Sequence, residues 1–385
     1  MKIPTICHIC NFAPEYGGTF IESIVFLSQY CRNNFQVATF CLFPEKARDR
    51  SWLSKLNEAE IEYGFIPHKR NVVEQARHLL SERELLLLHT HFFFFDLTAV
   101  LLKWTVYKHV RIVWHYHSQP PPTWRQKLKD LFKLGIIFGL WGGRCIAVGD
   151  GVFRSLQDAG LSRGKVALIH NTINIARFTP NSVSRASGRQ SLKVFHNSTI
   201  FLLLGYAPHI KGVDIFLKAA AEVRARASSD IKLLIVGRGE TREYILGLPC
   251  ASSLGDALIV IDPVEDFPPL LSAVDVLVSA SRTEGLAFSV LEAMCAEKLI
   301  LSSDIPSVRE TYGRSDGVWL FPTEDWKMLA ELMEKSLSLA LVERQSLGLA
   351  NREYVIENHS LDRWCEKIGR VYKDLIPGRP WSSRK

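Results

Sequence analysis

A chain of 385 residues is longer than one hydrophobic core normally supports, so two domains are expected. Its composition, 47% hydrophobic and 23% charged, is that of an ordinary globular protein and excludes disordered and fibrous classes. The net charge of +7 is unevenly spread: between Lys103 and Lys133, Lys103, Lys108, Arg111, Arg125, Lys127, Lys129 and Lys133 face Asp130 alone. Such a patch suits an anionic membrane surface or an anionic acceptor, or is a solvated face. No recognised binding motif stands beside it, so nucleic acid is not expected as a partner.

The opening MKIPTICHICNFAPEYGG carries one lysine and a short apolar run that ends in turn residues. It is too short and too interrupted for a secretory signal and reads as a first strand. Cys7 and Cys10 form a CxxC inside that strand, with no second CxxC or matching histidine pair, so buried thiols are expected rather than a metal or redox site. Eight cysteines scattered along a chain without an export signal argue for reduced thiols and a cytoplasmic protein, with contact at the inner face of the membrane open through the basic region. The runs Leu85 to Leu88, Phe92 to Phe95 and Gly135 to Gly143 fall far short of the roughly 20 residues of a membrane span.

Short apolar runs alternate with longer amphipathic stretches, the pattern of α/β domains with parallel sheets. Strands are predicted over Thr5 to Cys10, Gln36 to Leu42, Leu85 to Thr90, Arg111 to Tyr116, Cys145 to Val148 and Val166 to His170. PNSVSRASGRQS, Pro180 to Ser191, is polar and aperiodic and reads as a linker. A second series follows, with strands over Thr199 to Leu204, Lys232 to Val236, Ala257 to Ile261, Val276 to Ser279 and Leu299 to Ser302. Near the end, Leu361, Trp364, Ile368, Tyr372 and Leu375 recur at helical spacing and predict a helix returning toward the first domain, at the domain junction. The expected domains are therefore 1–180, a linker over 181–191, 192–360 and a C-terminal helix in 361–385. Two doubly wound domains facing one another would place the carboxyl ends of both sheets on one cleft, where such sheets bind ligands.

Candidate site residues fall at strand ends. Gly17-Gly18 lies between the first strand and a helix expected from about Thr19; paired glycines there let backbone amides approach a diphosphate, or simply turn the chain. They do not form the GxGxxG fingerprint, which counts against a nicotinamide dinucleotide enzyme. Lys211 sits in a strand-to-helix loop, Gly205 to Gly212, a common place for a phosphate partner. Glu284 follows the Val276 strand in a glycine-flanked loop, and Glu292 is placed about two turns into the next helix, a separation suited to the two ends of a nucleotide-sugar. In IVWHYHS, side-chain alternation would turn His115 away from His117. The loop after it, Ser118 to Arg125, is stiffened by Pro120 to Pro122 and offers an acceptor wall or a plain surface loop.

Glu284 and Glu292 in EGLAFSVLEAM resemble the E-x7-E element of the retaining glycosyltransferases of GT-B fold, glycosyltransferase family 4. The resemblance extends along the chain to Gly17-Gly18, His89-Thr90-His91, His117, VALIHNTINIARF, Lys211-Gly212 and LLIVGRGE. It implies a retaining transfer from a UDP- or GDP-linked sugar to a glycan, lipid-linked or small-molecule acceptor, as in polysaccharide biosynthesis. His117, Glu284 and Lys211 would act in catalysis. Donor contacts would come from Gly17, Gly18, Tyr206, Lys211, Gly237, Val264, Glu284, Gly285, Leu286, Ala287, Phe288 and Glu292. Glu284 would hold sugar hydroxyls and Glu292 the ribose, while Lys211, the Gly17-Gly18 amides and the helix starting near Ala287 would stabilise the leaving diphosphate. No carboxylate pair such as DxD stands beside the glycine loops, so neither metal nor cofactor is expected. The pattern is departed from where Tyr206 replaces an arginine, where Asn171-Thr172 and Asn174 replace NG and D, and where Glu297-Lys298-Leu299 replaces a small-residue GxP. A nucleotide-sugar epimerase or a non-catalytic nucleotide-sugar-binding relative would show the same motifs; epimerisation without acceptor, or binding without turnover, would identify them.

Overall fold

The computed structural model describes residues 2–68, 71–92, 94–117, 143–226, 230–284 and 287–376. The chain divides into two compact units, Met1–Asn174 with Leu361–Lys385, and Ile175–Ser360. In the first, β1 (Ile3–Cys10), α1 (Gly18–Phe35), β2 (Ala38–Pro44), α2 (Leu53–Glu58), β3 (Glu62–Ile66), α3 (Val72–Leu80), β4 (Arg83–His91), α4 (Asp96–Thr105), β5 (Arg111–Tyr116), β6 (Gly143–Ala147), α5 (Asp150–Asp158) and β7 (Val166–Leu168) follow one another. The second contains α6 (Ser182–Ser191), β8 (Thr199–Leu204), α7 (Val213–Arg226), β9 (Ile231–Val236), α8 (Gly239–Leu246), β10 (Leu258–Ile261), α9 (Phe267–Ala273), β11 (Val276–Ser279), α10 (Phe288–Cys295), β12 (Leu299–Ser303), α11 (Pro306–Thr311), β13 (Val318–Phe321), α12 (Trp326–Ser338) and α13 (Leu341–His359). The last helix, α14 (Leu361–Leu375), belongs to the first unit.

Both sheets are parallel throughout. Their orders are β3-β2-β1-β4-β5-β6-β7 and β10-β9-β8-β11-β12-β13, so the strand order reverses between β1 and β4 in one and between β8 and β11 in the other. At such a reversal the flanking helices leave to opposite faces and open a crevice at the carboxyl ends. The strands are apolar because both faces are covered: Phe201, Leu203, Leu233, Ile235, Val278 and Leu301 lie in one core of the second unit. In the first unit α14 supplies Trp364, Ile368 and Tyr372 to a core shared with Ile6, Leu27, Phe35, Val113 and Ile146. Gly369 lets α14 approach α1, since a Cβ there would stand 2.8 Å from the Phe35 ring. No helix among the described residues is long and apolar enough to cross a membrane.

The two-sheet α/β class is the one expected, and the strand expectations lie within a few residues of the observed strands. β3 and β13 were not anticipated. Cys7 and Cys10 are buried free thiols inside β1, and burial raises both well above the ordinary thiol range. The expected linker is a helix, and this is a correction. Asn181 caps α6 by accepting a hydrogen bond from the Ser184 amide at 3.0 Å. The buried face of α6 is built from arginine and glycine, so it lacks the apolar stripe by which helices are read. Arg185 and Arg189 converge on Asp275 at 2.6 and 3.3 Å, and both donate to carbonyl groups at the end of α9. Gly188 meets α9 closely enough that a Cβ would lie 2.9 Å from that of Ala273. The unit boundary accordingly falls at Asn174/Ile175, before this helix.

Candidate active site

In the second unit, four loops at the carboxyl edge of the sheet carry the expected donor residues. Gly205 and Gly237, just past β8 and β9, are pressed against Thr241, whose hydroxyl donates to the Gly205 carbonyl at 3.0 Å. A Cβ on Gly237 would fall 2.4 Å from Thr241 Oγ1, so a glycine is required for the two strand ends to meet α8. Tyr206 follows with 43% of its surface exposed, and Val264, past β10, is also exposed.

The loops after β8 and β11 are joined where the strand order reverses. Lys211 Nζ forms a hydrogen-bonded ion pair with Glu284 Oε1, and the same oxygen accepts from Ser281 Oγ at 2.7 Å. The backbone amide of Arg282 donates to the Ile210 carbonyl at 2.8 Å. Gly212 has φ +67°, and a Cβ there would lie 2.0 Å from the Ala280 oxygen, so close backbone contact sets the lysine's position. Arg282 braces both loops: it contacts the Asp214 carboxylate at 3.0 and 2.9 Å and Glu324 at 2.8 Å, and also donates to the His209 carbonyl. Burial would raise the Asp214 carboxyl, but the hydrogen bond and charge of Arg282 hold it below its ordinary value.

Ala287 is the N-cap of α10 and Phe288 its first residue; Gly285 and Leu286 lie outside the described residues. Glu292 is partly buried in α10, little more than one turn in rather than two, because the helix begins only at Phe288. Tyr312 is a neighbour that sequence reasoning missed. Its fully buried hydroxyl is held well above the ordinary phenol range by burial and by the charges of Glu284, Tyr354 and Glu292. Of the departing residues, Glu297 takes a left-handed φ of 59°, and Lys298 is pushed down to about 8 by burial.

In the first unit Gly17 is the N-cap of α1, and Gly18 opens that helix with φ +51°. Trp52 Nε1 donates to the Pro14 carbonyl at 3.1 Å and Arg50 Nε to that of Ala13 at 3.1 Å, which fixes the turn before the helix. At the carboxyl ends of β1, β4 and β5 stand five histidines, His8, His89, His91, His115 and His117. His8 Nδ1 is 3.1 Å from His91 Nε2, and His91 Nδ1 is 3.1 Å from His117 Nε2. His89 Nδ1 meets the Tyr372 hydroxyl of α14 at 2.6 Å. The expectation that His115 turns away from His117 is corrected: the rings stack with centroids 4.3 Å apart. Residues two apart on a strand share a face, and His117 directly follows β5, which ends at Tyr116, so period-two alternation brings the two rings together instead of parting them. Burial holds His8 and His117 at about 3. Burial and the neighbouring rings keep His89, His91 and His115 well below the ordinary range, so all five are neutral imidazoles. Of the basic region, Lys103, Lys108 and Arg111 are described, and Lys103 is buried, donating to the Val110 carbonyl at 2.5 Å. The loop Ser118 to Arg125 and the basic residues through Lys133 lie outside the described residues.

Residues 24–177 match the family described as Glycosyltransferase Family 4, and residues 198–338 match Glycosyl transferases group 1. Among curated relatives, the N,N'-diacetylbacillosaminyl-diphospho-undecaprenol alpha-1,3-N-acetylgalactosaminyltransferase of Campylobacter jejuni is 26% identical over 64% of this chain and 65% of its own. The chain spans less than two thirds of the length of the curated relatives it matches, from 33% to 65%. Two solved structures share the fold. A glycosyltransferase from Rickettsia africae superposes with TM-score 0.81 at 16% identity, covering 98% of this chain and 100% of that one. Anabaena HepE in complex with UDP gives 0.80 at 13%, covering 97% and 100%. The two family matches, taken with the paired parallel-sheet units, place the chain among the family-4-like glycosyltransferases of GT-B fold.

Proposed function

We propose that the protein transfers a sugar from a UDP- or GDP-linked donor to a glycan, lipid-linked or small-molecule acceptor with retention of anomeric configuration, at the cytoplasmic side of a membrane. The observation that carries this reading is the Lys211–Glu284 pair, held by Ser281 at the strand-order reversal of the second unit. An ion pair so placed keeps both charges compensated while the site is empty of donor. An arriving diphosphate supplies a new partner for the lysine, and the freed carboxylate accepts from sugar hydroxyls. The N-terminus of α10 and Lys211 then face the charge that grows on the leaving group. Glu292 is assigned to the ribose, and His117 and the Gly17-Gly18 amides to the same reaction, by the family resemblance.

In the transfer, the bond from the anomeric carbon to the phosphate oxygen breaks and the bond to the acceptor oxygen forms on the same face. The departing phosphate takes the acceptor proton. This needs no separate general base and no magnesium or manganese on the diphosphate. Bound UDP in HepE and the lipid-diphosphate name of the Campylobacter relative support a nucleotide-linked donor and a lipid-linked acceptor.

The test is proton NMR of the first-formed glycoside across a panel of nucleotide-sugars, without added divalent ion. Retained configuration is expected, with Glu284→Gln folding normally and losing at least about 100-fold in turnover through the loss of a charged partner in the site. An inverted product, or wild-type turnover in Glu284→Gln, would sink the reading.

A further inference from the structure

The five-histidine cluster of the first unit is not accounted for by sugar transfer, in which at most His117 would take part. His8, His89, His91 and His115 are almost completely buried, and His117 is partly exposed at the cluster's edge. Hydrogen bonding among the described residues does not satisfy them: neither ring nitrogen of His115 has a partner there, nor do Nε2 of His8 and Nε2 of His89. A neutral imidazole carries one N–H and one lone pair, so His115 alone leaves a buried donor and a buried acceptor unmet among the described residues, a costly arrangement in a core. Packing alone would favour phenylalanine or leucine at such a position. A group that accepts nitrogen lone pairs removes part of that cost.

The spacing fits such a group. Nitrogens of His91, His115 and His117 lie within 4.8 Å of one another, and His91 Nδ1 to His117 Nε2 is 3.1 Å. Around a tetrahedral ion with metal–nitrogen bonds of about 2.0–2.1 Å, ligand nitrogens are roughly 3.3 Å apart. When His91 Nδ1 is a ligand atom its proton must sit on Nε2, and that atom faces His8 Nδ1 at 3.1 Å, the outer hydrogen bond that metal-bound histidines use to fix tautomer and ring plane. A second group, His8, His89 and His91, meets the same distance limit, but all three members are buried and none offers an exposed side for an ion to enter by. All members of both groups are imidazoles, which suit zinc, nickel, cobalt and copper and not magnesium or calcium.

We propose that His91, His115 and His117 bind one divalent transition-metal ion of the zinc class. His91 Nδ1 and His117 Nε2 are two ligand atoms, a ring nitrogen of His115 the third, and water takes the fourth position on the exposed side of His117. His8 is a positioning residue. The ion would reach the site past His117, and a water bound to the metal would make the centre open rather than closed. Because His117 cannot both ligate the ion and meet a sugar, occupancy suppresses transfer; that consequence rests on the function proposed above, whereas ion binding does not.

Untagged full-length protein, freed of metal by chelating resin, is titrated with Co2+ and then Zn2+ in the absence of nucleotide, with visible absorption and calorimetry as readouts. One equivalent of Co2+ is expected to give the d–d bands of a four-coordinate centre and to be displaced by Zn2+ but not by Mg2+. His117→Gln, at the partly exposed position where folding is least at risk, and His115→Phe should each weaken binding at least ten-fold. His8→Asn should weaken it about ten-fold, in the range of an outer-shell loss, and His196→Gln in the other unit should leave it unchanged. The site is overturned if wild type binds no more tightly than His117→Gln. It is equally overturned if His89→Gln abolishes binding while His117→Gln does not, which would assign the ion to the closed group.

Discussion

Gly212 shows how tightly the backbone defines the lysine beside it. Its φ of +67° already disfavours any other residue, and an alanine Cβ would sit 2.0 Å from the Ala280 carbonyl oxygen. Ala280 immediately precedes Ser281, so relief of the clash must part the two loops that Lys211 and Glu284 bridge. Gly212→Ala is therefore expected to weaken nucleotide diphosphate binding at least ten-fold while the second unit still folds. Calorimetry with UDP and GDP, with circular dichroism as the folding control, checks this; unchanged affinity would show that the loop contact does not set the lysine. Lys211 and Glu284 were legible in the sequence because their loop context and spacing are local. Arg282, Asp214 and Tyr312 were not, because their roles come from contacts between segments distant along the chain, and Ser281, three residues before Glu284 in the same loop, carries no sequence mark of which way its hydroxyl turns. The histidines were legible only in part: His89, His91 and His117 stood at strand ends, but His8 joins them through the β1–β4 register, and His115 because it shares a face with the residue two positions on, which the reading of the alternation had reversed.

Among elements, α6 rests on one carboxylate. Asp275, at the entrance to β11, accepts from Arg185 and Arg189 and from the Ile200 amide at 2.9 Å, so it ties α6 to β8 as well. Burial would raise this carboxyl, but Arg185, the Ile200 amide and Arg189 hold it below the ordinary range. Asp275→Asn keeps the shape and leaves two guanidinium groups against α9 without their counter-charge. A loss of about 3 kcal/mol is expected, as when one partner of a buried pair is removed, with earlier unfolding of the second unit in urea. A change below about 0.5 kcal/mol would mean that the carbonyl contacts of the two arginines suffice. The same chemistry explains why this helix escaped sequence reading. Apolar periodicity reports helices that bury carbon, and α6 buries charge and glycine. The strands of both sheets were legible because parallel strands covered on both faces are continuous apolar runs. β3 and β13, at sheet edges, are only partly buried and read less clearly.

For the whole molecule, the order of the chain and the division into units differ, since the first unit is completed by the last helix. The helix itself was evident from the spacing of Leu361, Trp364, Ile368, Tyr372 and Leu375, but its core partners 200 to 360 residues away, roughly, leave no local trace. Removing residues 361–385 would strip Trp364, Cys365, Ile368, Val371 and Tyr372 from the core around Leu27, Phe35 and Ile146, and take the Tyr372 hydroxyl from His89. Burying an aromatic or aliphatic side chain contributes about 1.5–3 kcal/mol, so the loss of four, roughly 6–12 kcal/mol, is comparable to the 5–15 kcal/mol that holds a typical domain together. The second unit, Ile175–Ser360, keeps its sheet and its core intact in such a truncation. A chain ending at Ser360 is therefore expected to show one cooperative calorimetric transition for the second unit, rapid proteolysis within residues 1–174, and retained UDP or GDP binding through Lys211. A truncated protein in which residues 1–174 resist protease as they do in the full chain would show that the first unit folds without its terminal helix.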